Sequence, residues 1–383
     1  MSSLDGGPLV ARWRGLGSVL KRVDPCGLIS LSEHGVREWK QGPVIAIGGD
    51  ETAVDCDIRV LPDLWGAQVF PGDADFLPYS INANPIGAMI AGCLVARETF
   101  ARLSTPTKAS LNPYRFSPLG RPRNEEPAWH EGFDLGRCLV IGVGGVGSNL
   151  VHFLSNAGIL ASIMAVDFDT VFFTDLNRCI PFFYEDAVRG AAKVDVVKDR
   201  CSRVGFQIDA KRMDFAEFVH QEGRGSFDTW YALANERNVM WSIENNLPPL
   251  TWCAATSPNW GVTVSRHVPL RDGCVACLDS LHPARKPDLA CADGEIQVAG
   301  KNVMGSLPFL SALAASVLAA RSLAVAMTGD TTGPNLHSID SKSPTLSAFT
   351  TALVPSADCV CRTLPRELYS QMIGSRVSVG GPH

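Results

Sequence analysis

The run Gly142-Val-Gly-Gly-Val-Gly-Ser148 combines residue types and a spacing that could do chemistry. Gly142 and Gly144 let a backbone come close to a phosphate group. Gly145 stands inside the same loop, and Gly147 permits tight packing of a helix on a strand. A helix opening near Ser148 aims unpaired N–H groups and the positive end of its dipole at that anion. Asp167 follows Gly147 by twenty residues, where a carboxylate accepts hydrogen bonds from ribose hydroxyls. These features alone fit a nicotinamide dinucleotide as well as ATP.

The residues that follow separate the two. Asp167-Phe-Asp169-Thr-Val-Phe-Phe-Thr-Asp-Leu-Asn177-Arg178 is succeeded by Gly190-Ala-Ala-Lys193. Hydride transfer has little use for two cations at the phosphate end. A triphosphate attacked at its α-phosphorus needs them, because charge builds on the α-oxygens and the departing pyrophosphate. The plainer alternative makes Arg178 and Lys193 solvated surface cations. Cys274-Val-Ala-Cys277 and Cys359-Val-Cys361 are two thiol pairs that suit a closed tetrahedral zinc site or remain free thiols. Cys291, in Leu289-Ala-Cys-Ala-Asp-Gly-Glu295, is a loop thiol beside Asp293 and Glu295, acids that raise its pKa; nucleophile and inert cysteine both stay open. None of the eight histidines stands in a metal-ligand spacing.

The elements that must position these groups alternate strand and helix after a Pro-rich, aperiodic break between about Thr105 and Gly132. Strands are expected at Arg137–Gly142, Ile163–Asp167, Thr229–Ala234, Leu250–Ala255, Gly261–Val268 and Leu346–Leu353, with helices at Ser148–Gly158, Lys193–Cys201 and Leu310–Ala326. That order predicts an α/β fold: a doubly wound, mostly parallel Rossmann-like sheet with a smaller N-terminal α/β domain. The boundaries are 1–110 for the N-terminal domain, 111–131 for a linker, 132–364 for the main domain and 365–383 for a tail. Val44-Ile-Ala-Ile-Gly-Gly-Asp50 reads as a strand running into glycines, and Ala91-Gly-Cys-Leu-Val-Ala-Arg97 echoes Ala315-Ser-Val-Leu-Ala-Ala-Arg321. The first hundred residues thus read as a worn copy of the second domain that lost its phosphate loop; helical composition bias is the competing explanation.

Length and composition set the outer limits. The 383 residues imply two or three domains, and 46% apolar with 19% charged residues gives a large core and excludes disorder. A net charge of −5 argues against nucleic acid or an anionic membrane as the main partner. Twelve scattered cysteines point to a reducing compartment, and the first residues hold no signal-like apolar run, so a cytoplasmic protein is expected. Phe309–Met327 is the most membrane-like stretch, but Arg321 interrupts it, and a helix packed on a sheet is expected there.

Taken in order, G-x-G-x-x-G-S, D-x-D, L-N-R and G-x-x-K resemble the adenylation domain of the ThiF/MoeB and ubiquitin-activating enzyme superfamily, from about Gly136 to Leu364. The resemblance implies a ThiF-type fold that binds ATP and Mg²⁺ and adenylates the C-terminal glycine carboxylate of a ubiquitin-like or sulfur-carrier protein. It implies ribose contact by Asp167, distal phosphate contact by Arg178, and ribose and phosphate contact by Lys193. It favours a structural Zn²⁺ on Cys274, Cys277, Cys359 and Cys361, although the family has C-x-x-C where Cys359-Val-Cys361 is C-x-C. The family's magnesium aspartate is replaced by Asn235, with Glu236 beside it. Cys291 falls where some members carry the cysteine that forms a thioester or persulfide with the carrier.

The implied reading is activation of a ubiquitin-like protein and transfer through Cys291 to a conjugating enzyme, in a homodimer or a pseudo-dimer built into one chain. Its rivals are a sulfur-carrier adenylyltransferase, a peptide-modifying adenylyltransferase, a nicotinamide oxidoreductase and a non-catalytic scaffold.

Overall fold

The computed structural model describes residues 44–47, 56–72, 74, 84–104, 111–223, 226–234, 239–240, 242–243, 246, 248–257, 259–280, 295–298, 301–304, 307–357, 359 and 362. The apolar run ending at Ile141 forms β5 (Asp134–Ile141), a central strand of an eight-stranded sheet. Cys138 and Val140 face one apolar core and Leu139 and Ile141 the other, so both faces are covered and the strand reads as continuously hydrophobic.

Parallel neighbours flank β5. β6 (Leu160–Val166) and then β7 (Phe206–Lys211) lie on one side; β8 (Thr229–Ala232) and β9 (Thr251–Thr256) lie on the other. β10 (Gly261–His267), β13 (Leu336–Asp340) and β14 (Ser347–Thr351) continue the sheet antiparallel. The order is therefore β14-β13-β10-β9-β8-β5-β6-β7. The chain leaves β5 toward β6 and later returns to β8, which puts the switch point at the carboxyl end of β5. The main sheet is thus the mixed, mostly parallel one expected from the alternation. β7 and β13 are additions to the expected strands, and β13 is hard to read because it buries His337.

Among the described residues the helices are α1 (Pro85–Ser104), α2 (Gly145–Asn156), α3 (Tyr184–Arg189), α4 (Lys193–Cys201), α5 (Phe215–Glu222), α6 (Val275–Ser280) and α7 (Pro308–Thr328). A hairpin, β11 (Glu295–Val298) with β12 (Lys301–Met304), precedes α7. Phe309–Thr328 is apolar and long enough to cross a membrane by length and composition alone, but 78% of its most apolar window is buried within the protein. It packs on α1, α2, β9 and β10, which is why it is hydrophobic all round.

The N-terminal half has its own sheet, β1 (Ile45–Ile47), β2 (Ile58–Asp63), β3 (Gly66–Pro71) and β4 (Tyr114–Phe116), in that order. β4 falls inside the expected linker 111–131, which is therefore no bare tether. Arg115 of β4 bonds Asp63 and Glu126, and Trp129 packs edge-on against Trp65 at 5.3 Å.

The connectivity of the two halves repeats. β1 runs parallel to β2, β2 pairs antiparallel with β3, and α1 leads to β4, antiparallel to β3. β8 runs parallel to β9, β9 pairs antiparallel with β10, and α7 leads to β13, antiparallel to β10. The two helices pack on each other, with Cys93 Sγ 3.9 Å from Ser316 Oγ. In this match β1 corresponds to β8, and α1 to α7 as the echo of Ala91–Arg97 in Ala315–Arg321 expects. Gly48-Gly49-Asp50, which follow β1 in sequence, lie outside the described residues.

Candidate active site

Three chain segments meet beyond the carboxyl end of β5. The first is the glycine loop. Gly142 has φ +89°, and a Cβ there would stand 2.6 Å from the backbone nitrogen of Ala234 after β8. A Cβ on Gly147 would lie 2.0 Å from the Gly142 carbonyl oxygen, so only glycine lets α2 start against the loop. Around Gly144 nothing lies within 4 Å of a built Cβ. Gly144 caps α2 with no side-chain bond, leaving the helix end to present its N–H groups and dipole to an anion. Ser148 is buried and its hydroxyl donates to the Gly144 carbonyl at 2.7 Å, so it braces the loop.

The second segment follows β6. Asp167 accepts from the Val143 N–H at 2.6 Å and from the Asp169 N–H at 2.8 Å. Both carboxylate oxygens therefore fasten the glycine loop to the acidic turn. Burial raises the Asp167 pKa, against those two amides and Lys193, which pull it down.

The third segment brings the cations. Gly190 (φ +59°) ends α3 in the left-handed region, and the chain reverses to a bridge between Thr170 and Ala192. The Lys193 N–H then donates to the Asp169 carbonyl at 3.0 Å as α4 begins. Only 6% of Lys193 is exposed; its Nζ is 3.1 Å from Asp169 and 3.6 Å from Asp175. Burial pushes the amine down, but Asp175, Asp169 and Asp167 outweigh it and hold it above the ordinary lysine value. Arg178 Nη2 reaches Asp175 at 3.0 Å, and a Cβ on Gly145 would touch Arg178 Cδ at 3.3 Å. Arg178 and Lys193 thus converge beside the helix end and are not outward-pointing surface cations.

Two residues of this constellation were not singled out in the sequence. Asp175, 3% exposed, is the shared partner of both cations and also accepts from the Phe172 N–H. Asn149, buried on α2, donates to the Arg178 carbonyl at 2.7 Å and accepts from the Ile180 N–H at 2.8 Å, pinning the arginine segment to the phosphate-loop helix. Asn149 lies one residue beyond Ser148, but its role depends on a chain segment 29 residues away. Asn177 neighbours Arg178 on the same turn. Asn235, Glu236, Cys291 and Cys361 lie outside the described residues.

Away from the loop, Cys274, Cys277 and Cys359 place their sulfurs within 4.8 Å of one another. Cys274 and Cys277 are nearly fully buried. Burial raises the Cys277 thiol, yet bonds from Ser356, Cys274 and Cys359 bring it down to about 7. Three convergent thiols are a soft donor set of the kind that binds divalent metal.

Residues 133–229 match the model of the ThiF family, and residues 9–113 match that of the BilD N-terminal domain. No curated protein matches the chain. Among solved structures, Escherichia coli MccB with ATP is 14% identical, with 80% of this chain and 98% of that chain covered at TM-score 0.44. E. coli MccB with selenomethionine MccA is 16% identical, with 59% of this chain covered at TM-score 0.44; the match spans 66% of that MccB chain, just under two thirds. PaaA is 17% identical, covering 57% of this chain and 73% of its own at TM-score 0.44.

Proposed function

We propose that the chain, whose residues 133–229 match the model of the ThiF family, is an ATP-dependent adenylyltransferase acting on the C-terminal glycine carboxylate of a ubiquitin-like protein. One observation carries the reading: Arg178 and Lys193 share Asp175 beside the uncapped start of α2, around the open space at Gly144. Such a site offers two cationic side chains and a helix N-terminus where a triphosphate sheds its terminal pyrophosphate. The carrier carboxylate attacks the α-phosphorus; a new P–O bond forms as the bond to the β-phosphate oxygen breaks. Arg178 and Lys193 meet the charge on the leaving pyrophosphate, while the α2 N–H groups hold the phosphate oxygens. Asp169, at the mouth, is the acid that fits a cation bound with the triphosphate; Mg²⁺ supplies charge neutralisation there when bound.

The rim supports a polypeptide as the second substrate. Phe168, Phe172 and Phe173 are more than half exposed on the same loop as Asp169 and Asp175, and a clustered apolar rim is a mark of protein contact. In this reading Cys291 takes the acyl group from the adenylate, expelling AMP, and passes it to a conjugating enzyme. Cys274, Cys277, Cys359 and Cys361 hold a structural Zn²⁺. The repeated connectivity of the two halves supports a pseudo-dimer within one cytoplasmic chain. The test is ATP–pyrophosphate exchange with small proteins ending in glycine. Exchange that needs the carrier's free C-terminal carboxylate is expected. Tight NADH binding without ATP binding, or no exchange with any such carrier, would overturn the proposal. A carrier adduct that dithiothreitol releases and Cys291→Ala abolishes is expected for the thioester step; an adduct surviving that substitution rejects it.

A further inference from the structure

At the opposite end of the main sheet a second basic cavity opens. Trp252 near the start of β9 pairs with Arg266 near the end of β10, so this end of the parallel strands is the one remote from the glycine loop. The cavity holds about 110 Å³ and is lined by Arg121, Arg266, Arg321, Trp252 and Asp330 among others. A buried water needs about 10–15 Å³ of such space, so there is room for several waters or one phosphate group.

Charge and donors are in surplus here. Arg266 pairs with Asp272 at 3.1 Å, as does the neighbouring Arg271, while Arg121 pairs with Asp330 at 3.3 Å. Four guanidinium groups against two carboxylates leave two positive charges. Arg321 has no carboxylate partner among the described residues. It donates only to the carbonyls of Pro118, Leu119 and Pro334, at 3.2 to 3.4 Å. The indole N–H of Trp252, itself 1% exposed, has no partner among the described residues. Burial, with Arg266 and Arg121 adding to it, pulls the Arg321 guanidinium down to about 10, as expected for like charges held together without an anion.

The internal repeat supplies a control. Arg97 of α1 stands where Arg321 stands in α7, and it too donates to carbonyls of the other half, at Ser341 and Ser343. Arg97 is neutralised by the adjacent Glu98, whose counterpart beside Arg321 is Ser322. One copy carries its own counter-ion and the other lacks it.

We propose that the Arg121–Arg266–Arg321 cavity is a binding site for a tetrahedral phosphate dianion, distinct from the glycine loop. Free phosphate and the phosphate of a small monoester share the recognised chemistry. The test uses the full chain in an Arg178→Gln background, which weakens the glycine loop, with inorganic phosphate and glycerol phosphate titrated separately by calorimetry at constant ionic strength. One saturable site for at least one of them is expected, weakened at least tenfold by Arg121→Gln and abolished by Arg321→Met. Tighter binding of phosphate identifies the free ion as the ligand, and tighter binding of the ester identifies a monoester. No saturable heat with either, or heat unchanged by both arginine substitutions, overturns the proposal. If Arg321→Met does not fold, the partly exposed Arg121 decides the outcome alone. Pyrophosphate exchange reads the other end of the sheet, so this proposal and the adenylation reading fail independently.

Discussion

The two halves share a connectivity, a parallel strand pair, an antiparallel pair and a helix crossing to a further antiparallel strand, yet among the described residues only the second adds a glycine loop with two cations beside it. In the second half that unit is preceded by β5, the glycine loop, α2, β6 and α4, which carry Gly142, Asp167, Arg178 and Lys193 to one place. Among its described residues the first half has no such preface. Its charged groups pair with one another, Asp63 with Arg115 and Arg123 and Arg97 with Glu98, as Arg178 and Lys193 pair with Asp175, but no glycine loop stands beside them among the described residues. Repeating a sheet-and-helix unit therefore reproduces packing, while the phosphate loop and the cations beside it come from the segments that precede the unit in the second half.

The sharpest way to break the comparison is to remove equivalent charges from each half. Arg178→Ala or Lys193→Met should lower pyrophosphate exchange by about 10²–10³, the usual effect of losing one electrostatic stabiliser of a transition state. Arg97→Met with Glu98→Gln should leave exchange unchanged. Equal losses from both halves would show that Arg178 and Lys193 act through the fold.

Acid should separate the halves next. Burial pushes His337 down to about 3, His267 to about 4 and His152 to about 4, all in the second half. These folded-state values lie below the unfolded imidazole value, so the stabilisation is complete above about pH 6.5 and is lost as pH falls toward 4 for His267 and His152 and toward 3 for His337, roughly 3 kcal/mol for each of the first two and roughly 5 kcal/mol for the last. In the first half, burial raises Asp63, but Gln68, Arg115 and Arg123 together hold it below the usual value, so its contribution is lost only below about pH 4. Hydrogen exchange at pH 5 should therefore open β10 and β13 before β2 and β3; the reverse order would contradict this ordering.

Smaller still is the joint between the halves. The Arg97→Met and Glu98→Gln double variant removes the guanidinium bonds to Ser341 and Ser343 without stranding a charge, and should cost about 2 kcal/mol in urea melts. The smallest effect on chemistry is expected at the thiols. Chelation should release one zinc per chain and lower the melting temperature, with exchange at low temperature unchanged, because Cys274, Cys277 and Cys359 follow the ends of β10 and β14, at the end of the sheet remote from the glycine loop. A chain purified with no bound zinc would dismiss the metal site.

Much of the second half was legible in sequence because its signals are local. Glycines at 142, 144 and 147 must be followed by a helix, and α4 begins at Lys193, where the sequence placed it. β7 follows an apolar and polar alternation that went unread, Phe206 and Ile208 inward, Gln207 and Asp209 outward. β13 was hidden by His337, a polar residue whose burial no period announces. Asp175 looked like one more loop acid; its importance arises only when Arg178 and Lys193 arrive on either side of it.

Sequence alone determined the phosphate loop, the alternation that winds the sheet and the residue types able to bear charge, since each depends on neighbours a few positions apart. Tertiary structure decided which of those charges are left over. Arg321, Arg121 and Arg266 meet across far-separated segments, Arg97 finds Glu98 beside it, and β1 takes the place of β8. Such pairings are set by how sheets and helices pack at long range, and short-range periodicity carries no record of them.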